Sequence, residues 1–225
     1  MTIVLGIDTA TTGCAAAVLG DGACLAMANA RMARGQSETL MPMIDGVIRD
    51  AGIGMADIDA VAVTRGPGAF TGLRIGLAAA RALALALSKP CLGIGTFDAL
   101  LLQAQDAGAF DGVEALVSVI DSKREDLFVA IYDDQGAPLA APQAMRASEI
   151  PAALGPCRRI AVIGDSAEAA VPSFGADFTV RHFPDIDLPD PRAVARLGLA
   201  ALGAPGDAPA TPLYLRPPDV TLPKP

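Results

Sequence analysis

The chain has 225 residues, 52% of them apolar and 19% charged, with a formal net charge of -8. That length buries one large core or two modest ones, and that apolar share excludes a disordered chain. Nucleic-acid affinity comes mainly from Lys and Arg neutralising phosphates, so 17 basic against 25 acidic residues, with 4% aromatics and no Trp, argue against direct RNA or DNA binding.

Residues 2–7 are a short apolar run ending at Asp8, which predicts a buried strand. A small polar turn follows at 9–13. Residues 14–19 and 24–30 flank Asp21-Gly22, a strong hairpin signal, so the chain opens with three successive strands. Ser37 is placed to cap a helix over 37–51 that Gly52 ends. Residues 59–64 predict a strand, 66–72 a Gly-rich loop, and 71–87 a helix stopped by Pro90. A strand at 91–94 and a helix over 96–105 complete the first hundred residues. The order β-β-β-α-β-α-β-α predicts a mixed sheet covered by helices.

The second half starts near residue 105. Strands are predicted at 113–121 and 126–132, with a turn at Asp134-Gln135-Gly136. A further strand at 160–163 ends in Gly164-Asp165, and 191–202 reads as an Ala-rich helix. Residues 205–225 read as a Pro-rich extended tail around a short strand at 213–215. The expected organisation is an N-terminal lobe, 1–104, and a smaller C-terminal lobe, 105–225.

The first eight residues lack the basic and long apolar regions of a signal peptide, and 75–87, interrupted by Arg81, is too short to span a bilayer. Cys14, Cys24, Cys91 and Cys157 show no CxxC pairing, so they read as buried free thiols in a reducing cytoplasm.

Asp8-Thr9-Ala10-Thr11-Thr12 places an acid at a strand end before a hydroxyl-rich turn, which can present donors to a phosphate, although so short a pattern favours a self-satisfied polar turn. Gly66-Pro67-Gly68 and Thr71-Gly72 precede a helix start, where free N–H groups attract anions. No Lys follows, so this is not a Walker loop, and glycines required by close backbone packing explain it equally well. Gly164-Asp165 repeats the theme after a later strand. Asp121-Ser122-Lys123-Arg124-Glu125-Asp126 reads as a solvated hairpin tip. His182 is the only histidine, so no HExxH or HxxxH metal pair exists. No GxSxG elbow accompanies it. The helix over 71–87 is apolar nearly all round and must be covered on every side, by its own fold or by a partner.

Three stretches resemble the bacterial TsaB (YeaZ) family: Ile3-Val4-Leu5-Gly6-Ile7-Asp8-Thr9, Gly35-Gln36-Ser37-Glu38, and, most specifically, Thr64-Arg65-Gly66-Pro67-Gly68-Ala69-Phe70-Thr71-Gly72-Leu73-Arg74-Ile75-Gly76. Asp121-Ser122-Lys123-Arg124 and Leu213-Tyr214-Leu215-Arg216 sit where that family carries its later patterns. Ser122, Lys123 and Phe128 depart from the family's usual residues there.

The resemblance implies an actin-like (ASKHA, ribonuclease H-like) α/β fold of two related lobes, each a mixed β-sheet covered by helices. It implies a cytoplasmic, non-catalytic subunit for tRNA N6-threonylcarbamoyladenosine (t6A) modification, with no catalytic or metal residue of its own. Its implied partners are a TsaD-like catalytic subunit, a TsaE-like ATPase, tRNA only indirectly, and a second copy when TsaD is absent. The partner-facing residues are expected on the two long helices: Leu40, Met41, Ile44, Val47, Ile48, Phe70, Leu73, Leu77 and Arg81. ATP or ADP with Mg at the junction is the implied cofactor, with Asp8, Thr9, Thr11, Gly164 and Asp165 as nucleotide-binding candidates. An ATP-dependent kinase or ATPase of the same superfold is the alternative, and a protease ranks last.

Overall fold

A computed structural model describes residues 1–203 and 209–216. Two five-stranded sheets carry it. The first has β1 (Ile3–Asp8), β2 (Gly13–Gly20) and β3 (Ala23–Arg31) as consecutive antiparallel strands, and β4 (Ala60–Gly66) and β5 (Cys91–Gly95) parallel to β1, in the order β3-β2-β1-β4-β5. The second repeats the pattern. β6 (Ala115–Asp121), β7 (Leu127–Asp133) and β8 (Gln143–Met145) are antiparallel, and β9 (Arg159–Ile163) and β10 (Thr179–His182) run parallel to β6, in the order β10-β9-β6-β7-β8. Two lobes of one topology thus lie in one chain.

Among the described residues six α-helices cover the sheets: α1 (Gln36–Asp50), α2 (Phe70–Leu87), α3 (Thr96–Asp106), α4 (Ile150–Ala153), α5 (Ala167–Ala170) and α6 (Pro191–Ala201). Because alternate strand residues face opposite sides, Leu5, Ile7, Val61 and Val63 pack on α1 and α2 through Leu40, Ile44, Val47 and Leu77. Val4, Ala60, Ala62 and Leu92 face the other way, onto Val194 and Ala195 of α6 and Ala99 of α3. The Ala-rich composition finds its reason here. A Cβ on Gly6 would sit 2.3 Å from the Pro191 carbonyl oxygen, and one on Gly198 2.4 Å from the Ala62 Cβ. Only small residues let α6 lie this close to the sheet.

Contacts cross the boundary expected at 104/105. α6 lies late in the chain but covers the first sheet, and Pro209 bridges to Leu92 of β5. α3 packs on both lobes, with Phe97, Leu100 and Ala104 in the second core and Ala99 in the first. Chain order cannot reveal a helix that crosses back, because its small-residue face matches a surface built some 190 residues earlier.

Smaller differences have local causes. α1 starts at Gln36 after Gly35 in the left-handed region (φ 91°), so Ser37 lies inside the first turn and is not its cap. Residues 213–215 form no strand, and 205–208 and 217–225 of the expected tail lie outside the described residues. β8, α4, α5 and β10, of three or four residues each, have too few turns or alternations to show a period. All four cysteines are free, but only Cys14 is buried and Cys24 is exposed. By length and composition α2 would reach across a bilayer, yet Leu73, Leu77, Ala80 and Ala84 pack into the protein.

Candidate functional site

The site is built at the carboxyl end of β1. Asp8 is 1% exposed. Its Oδ1 accepts from the Thr64 hydroxyl at 2.7 Å and the Ala10 amide at 3.1 Å, while its Oδ2 has no partner among the described residues. Burial pushes its carboxyl up to about 6 against those two hydrogen bonds, and the charge of Asp165 adds to the rise. The same burial, and Asp8 nearby, push the Cys14 thiol up to about 11, so it is an inert thiol.

The Gly-rich motif packs against this turn. Cβ atoms on Gly68 and Gly72 would each lie 2.1 Å from a backbone oxygen, of Ala10 and Thr9 respectively, and one on Gly76 would lie 2.4 Å from the Thr9 hydroxyl. Ala69 N donates to Ala10 O at 2.6 Å, and the Thr9 hydroxyl donates to Gly72 O at 2.7 Å. These glycines hold the start of α2 against the β1–β2 turn, which is the close-packing reading of the loop. Thr9 spends its hydroxyl in doing so. Thr11, 3% exposed, has an Oγ1 with no partner among the described residues.

Across the join, Gly164 (φ 103°) lies so close to β6 that a Cβ would meet Val119 O at 1.9 Å. Asp165 Oδ1 accepts from the Asp121 amide at 2.7 Å. Burial raises its carboxyl as well, against that hydrogen bond. Asp8 and Asp165, one from each lobe, are thus both desolvated acids. The hairpin tip at 121–126 is closed by its own side chains: Ser122 donates to Asp126, and Lys123 pairs with Asp121 at 2.7 Å. His182 lies on β10, an edge strand of the second sheet.

Two hollows flank the turn. One, about 210 Å³, contains Asp8 together with Asp185, Asp187 and Asp190. The other, about 1180 Å³, runs along Thr11, Gly68, the first turn of α2, the hairpin tip and residues 213–216. Its basic lining includes Arg34, Arg74 and Arg216, which sequence reasoning did not single out as site residues. They lie far apart in the chain, and only the fold gathers them.

The expected partner face is redistributed. Six of the nine residues expected at the interface, Leu40, Ile44, Val47, Ile48, Leu73 and Leu77, are buried in the lobe's own core. The bulkiest stripe of each helix is spent on the sheet. Met41 (43% exposed), Phe70 (52%) and Arg81 do face outward. On α2 they are joined by Ala78, Ala82, Ala86 and Leu85, the last 82% exposed.

A repeated five-stranded α/β lobe with a buried acid at a strand end of the first lobe defines a two-lobed protein of the actin-like class. The family described as "TsaD: tRNA N6-adenosine threonylcarbamoyltransferase" matches residues 30–155, more than half of the chain. YeaZ from Pseudomonas aeruginosa superimposes with a TM-score of 0.79 at 26% identity, over 96% of this chain and all of that one. The Escherichia coli tRNA threonylcarbamoyladenosine biosynthesis protein TsaB is 35% identical over 138 residues, which span 59% of this chain and 57% of the E. coli protein. An uncharacterized protein of Mycobacterium bovis is 35% identical over 96% of this chain and 92% of its own length. The chain belongs to the TsaB (YeaZ) family within this threonylcarbamoyltransferase group.

Proposed function

We propose that the chain is a non-catalytic subunit for t6A modification of tRNA, which binds and stabilises a TsaD-like threonylcarbamoyltransferase through the outer face of α2 and the adjoining edge of α1. One observation carries this reading: α2 is apolar nearly all round, yet only its Leu73, Leu77, Ala80 and Ala84 face is buried. Leu85, Ala78, Ala82 and Ala86 are left to solvent, a stripe that is costly to expose and suited to another helix.

The partner's identity is argued from family. The chain aligns with both a TsaB named for threonylcarbamoyladenosine biosynthesis and the transferase's own family description. A paralogue of the same fold offers equivalent helices, so the two pack as a pseudo-symmetric pair. A second copy of this chain takes the same face when the transferase is absent. Within such an assembly tRNA and a TsaE-like ATPase are reached through the transferase.

The test is titration of the full chain with the transferase of the same organism, followed by light scattering and by t6A formation. A one-to-one complex that restores tRNA modification is expected. Failure of the two to associate, or modification by the transferase unaltered by this chain, overturns the reading.

A further inference from the structure

The smaller hollow, of about 210 Å³, holds more acids than its cations can answer. Asp8, 1% exposed, lies deepest in it, and Asp185, Asp187 and Asp190 stand nearer its mouth. Two of the four are answered. Asp187 pairs with Arg31, and Asp190 pairs with Arg192 and caps its amide at the start of α6. Asp8 and Asp185 have no ion pair among the described residues.

The orientation of Asp8 points to a ligand in that space. Its Oδ1 is turned to Thr64 and Ala10. Its Oδ2 is buried, has no partner among the described residues, and lies on the Gly13 side, where a Cβ on Gly13 would come 3.9 Å from it. Gly13 lines the same hollow. An unpaired buried charge is costly, and a cation held against it removes that cost. The kind of cation follows from the wall. Among the described residues no three acid, His or Cys side chains converge as ligands of one metal ion. The wall offers separated acceptors instead: Asp8 Oδ2, the Asp185 carboxylate, and the Gln103 side-chain oxygen, left free because Gln103 Nε2 donates to Ala99 O at 3.2 Å. An ammonium group, with three donors and no acceptor, matches such a wall. The volume is below the range of about 300–1,000 Å³ usual for drug-sized ligands, so the molecule is small. Length is limited too. The adjoining hollow shares Gln103, Asp185 and Asp190, but its other acid, Asp106, is already paired with Arg196. A third ammonium finds no unpaired acid there.

We propose that this hollow binds a short aliphatic diamine. One ammonium sits on Asp8 Oδ2 and the Gln103 side-chain oxygen, and the other on Asp185 at the mouth. The inference is independent of the docking reading, since neither Leu85 nor the rest of the outer stripe of α2 lines the hollow.

Calorimetry on the full chain in low salt tests this, above the value of about 6 to which burial raises Asp8, so that its carboxylate is ionised. The probes are diaminopropane, diaminobutane, diaminopentane, butylamine, ammonium chloride and magnesium chloride, each titrated separately. One of the three diamines is expected to bind about tenfold more tightly than butylamine, through its second charge-assisted contact. Asp185→Asn should bring that diamine down to the level of butylamine and leave butylamine unchanged. Asp8→Asn should weaken both about a hundredfold. Glu168→Gln, on the second lobe, should alter neither. Asp185 is exposed, so its variant tests the site even where Asp8→Asn fails to fold. Absence of binding by every amine at about 10 mM overturns the proposal. So does an Asp185→Asn chain that binds the diamine as the parent does, or a folded Asp8→Asn chain that does so. Ammonium binding as tightly as the diamine would mean a bare monovalent ion. Magnesium displacing the diamine from Asp8 would mean a metal site, and either result overturns the reading as well.

Discussion

Asp8 is held at a cost. The chain buries its carboxylate and satisfies Oδ1 twice, and Oδ2 has no partner among the described residues. Its pKa in the fold, pushed up to about 6, lies above that of the unfolded chain. The folded state therefore binds the proton more tightly. The stability this contributes is complete below the unfolded pKa, near 4, and is lost as pH rises through about 6. At neutral pH the ionised group costs the fold about 3 kcal/mol, two pKa units at ~1.4 kcal/mol each. Asp8→Asn, which keeps an acceptor for Thr64 and Ala10, is expected to raise stability at pH 7.5 by about 1–3 kcal/mol and to give no gain near pH 4. Urea unfolding at the two values reads this directly, and a variant less stable than the parent at pH 7.5 would sink it. An acid at the end of a buried strand is legible in the sequence. That Thr9 is consumed by Gly72 is not, because the bond spans 63 residues.

At the scale of the element, α1 and α2 were legible as helices and illegible as faces. The 3.6-residue period places both to within a residue or two. It ranks apolar stripes by bulk, however, and the bulkiest stripe belongs to the chain's own sheet. Among Leu73, Ala78, Leu77, Ala82 and Leu85, periodicity supplies no reason for Leu85 to be the exposed one, since every side of α2 reads apolar. The fold decides, by where β4 and α1 lie. Two substitutions separate the faces. Leu77→Ala, in the core, is expected to cost about 2–5 kcal/mol in urea unfolding. Leu85→Glu is expected to change stability by no more than about 0.5 kcal/mol, as surface substitutions do. It should nonetheless abolish association, with the transferase or with a second copy, in light scattering. A Leu85→Glu chain that still associates normally would move the interface off α2.

On the scale of the molecule, the repeat of topology was half legible: three strands and then alternation in the first lobe, a fading pattern in the second. What joins the lobes was not legible at all. α3 packs on both, α6 returns to the first, and residues 209–216 run along the first lobe before reaching the second. Along this last segment Arg81 donates to the Ala210 carbonyl, Leu213 N donates to Arg65 O at 2.7 Å, and Tyr214 stacks on Phe70 with centroids 5.7 Å apart. A Cβ on Gly66 would meet Leu213 O at 2.6 Å, so the first lobe is shaped to receive the segment. Arg216 then pairs with Asp126 at the hairpin tip of the second lobe, both side chains less than a third exposed. The pair is a tie between lobes rather than a pillar of either. Arg216→Ala is accordingly expected to release about 1 kcal/mol locally, with little change in the global unfolding transition. Amide exchange at residues 122–126 should quicken about fivefold, while β1 and β6 keep their protection. High salt should reproduce part of the effect in the parent chain, because a partly exposed pair is screened. Unchanged exchange at the hairpin tip would mean that α3 and α6 alone fix the lobes, and that the basic crevice between them keeps its width without this tie.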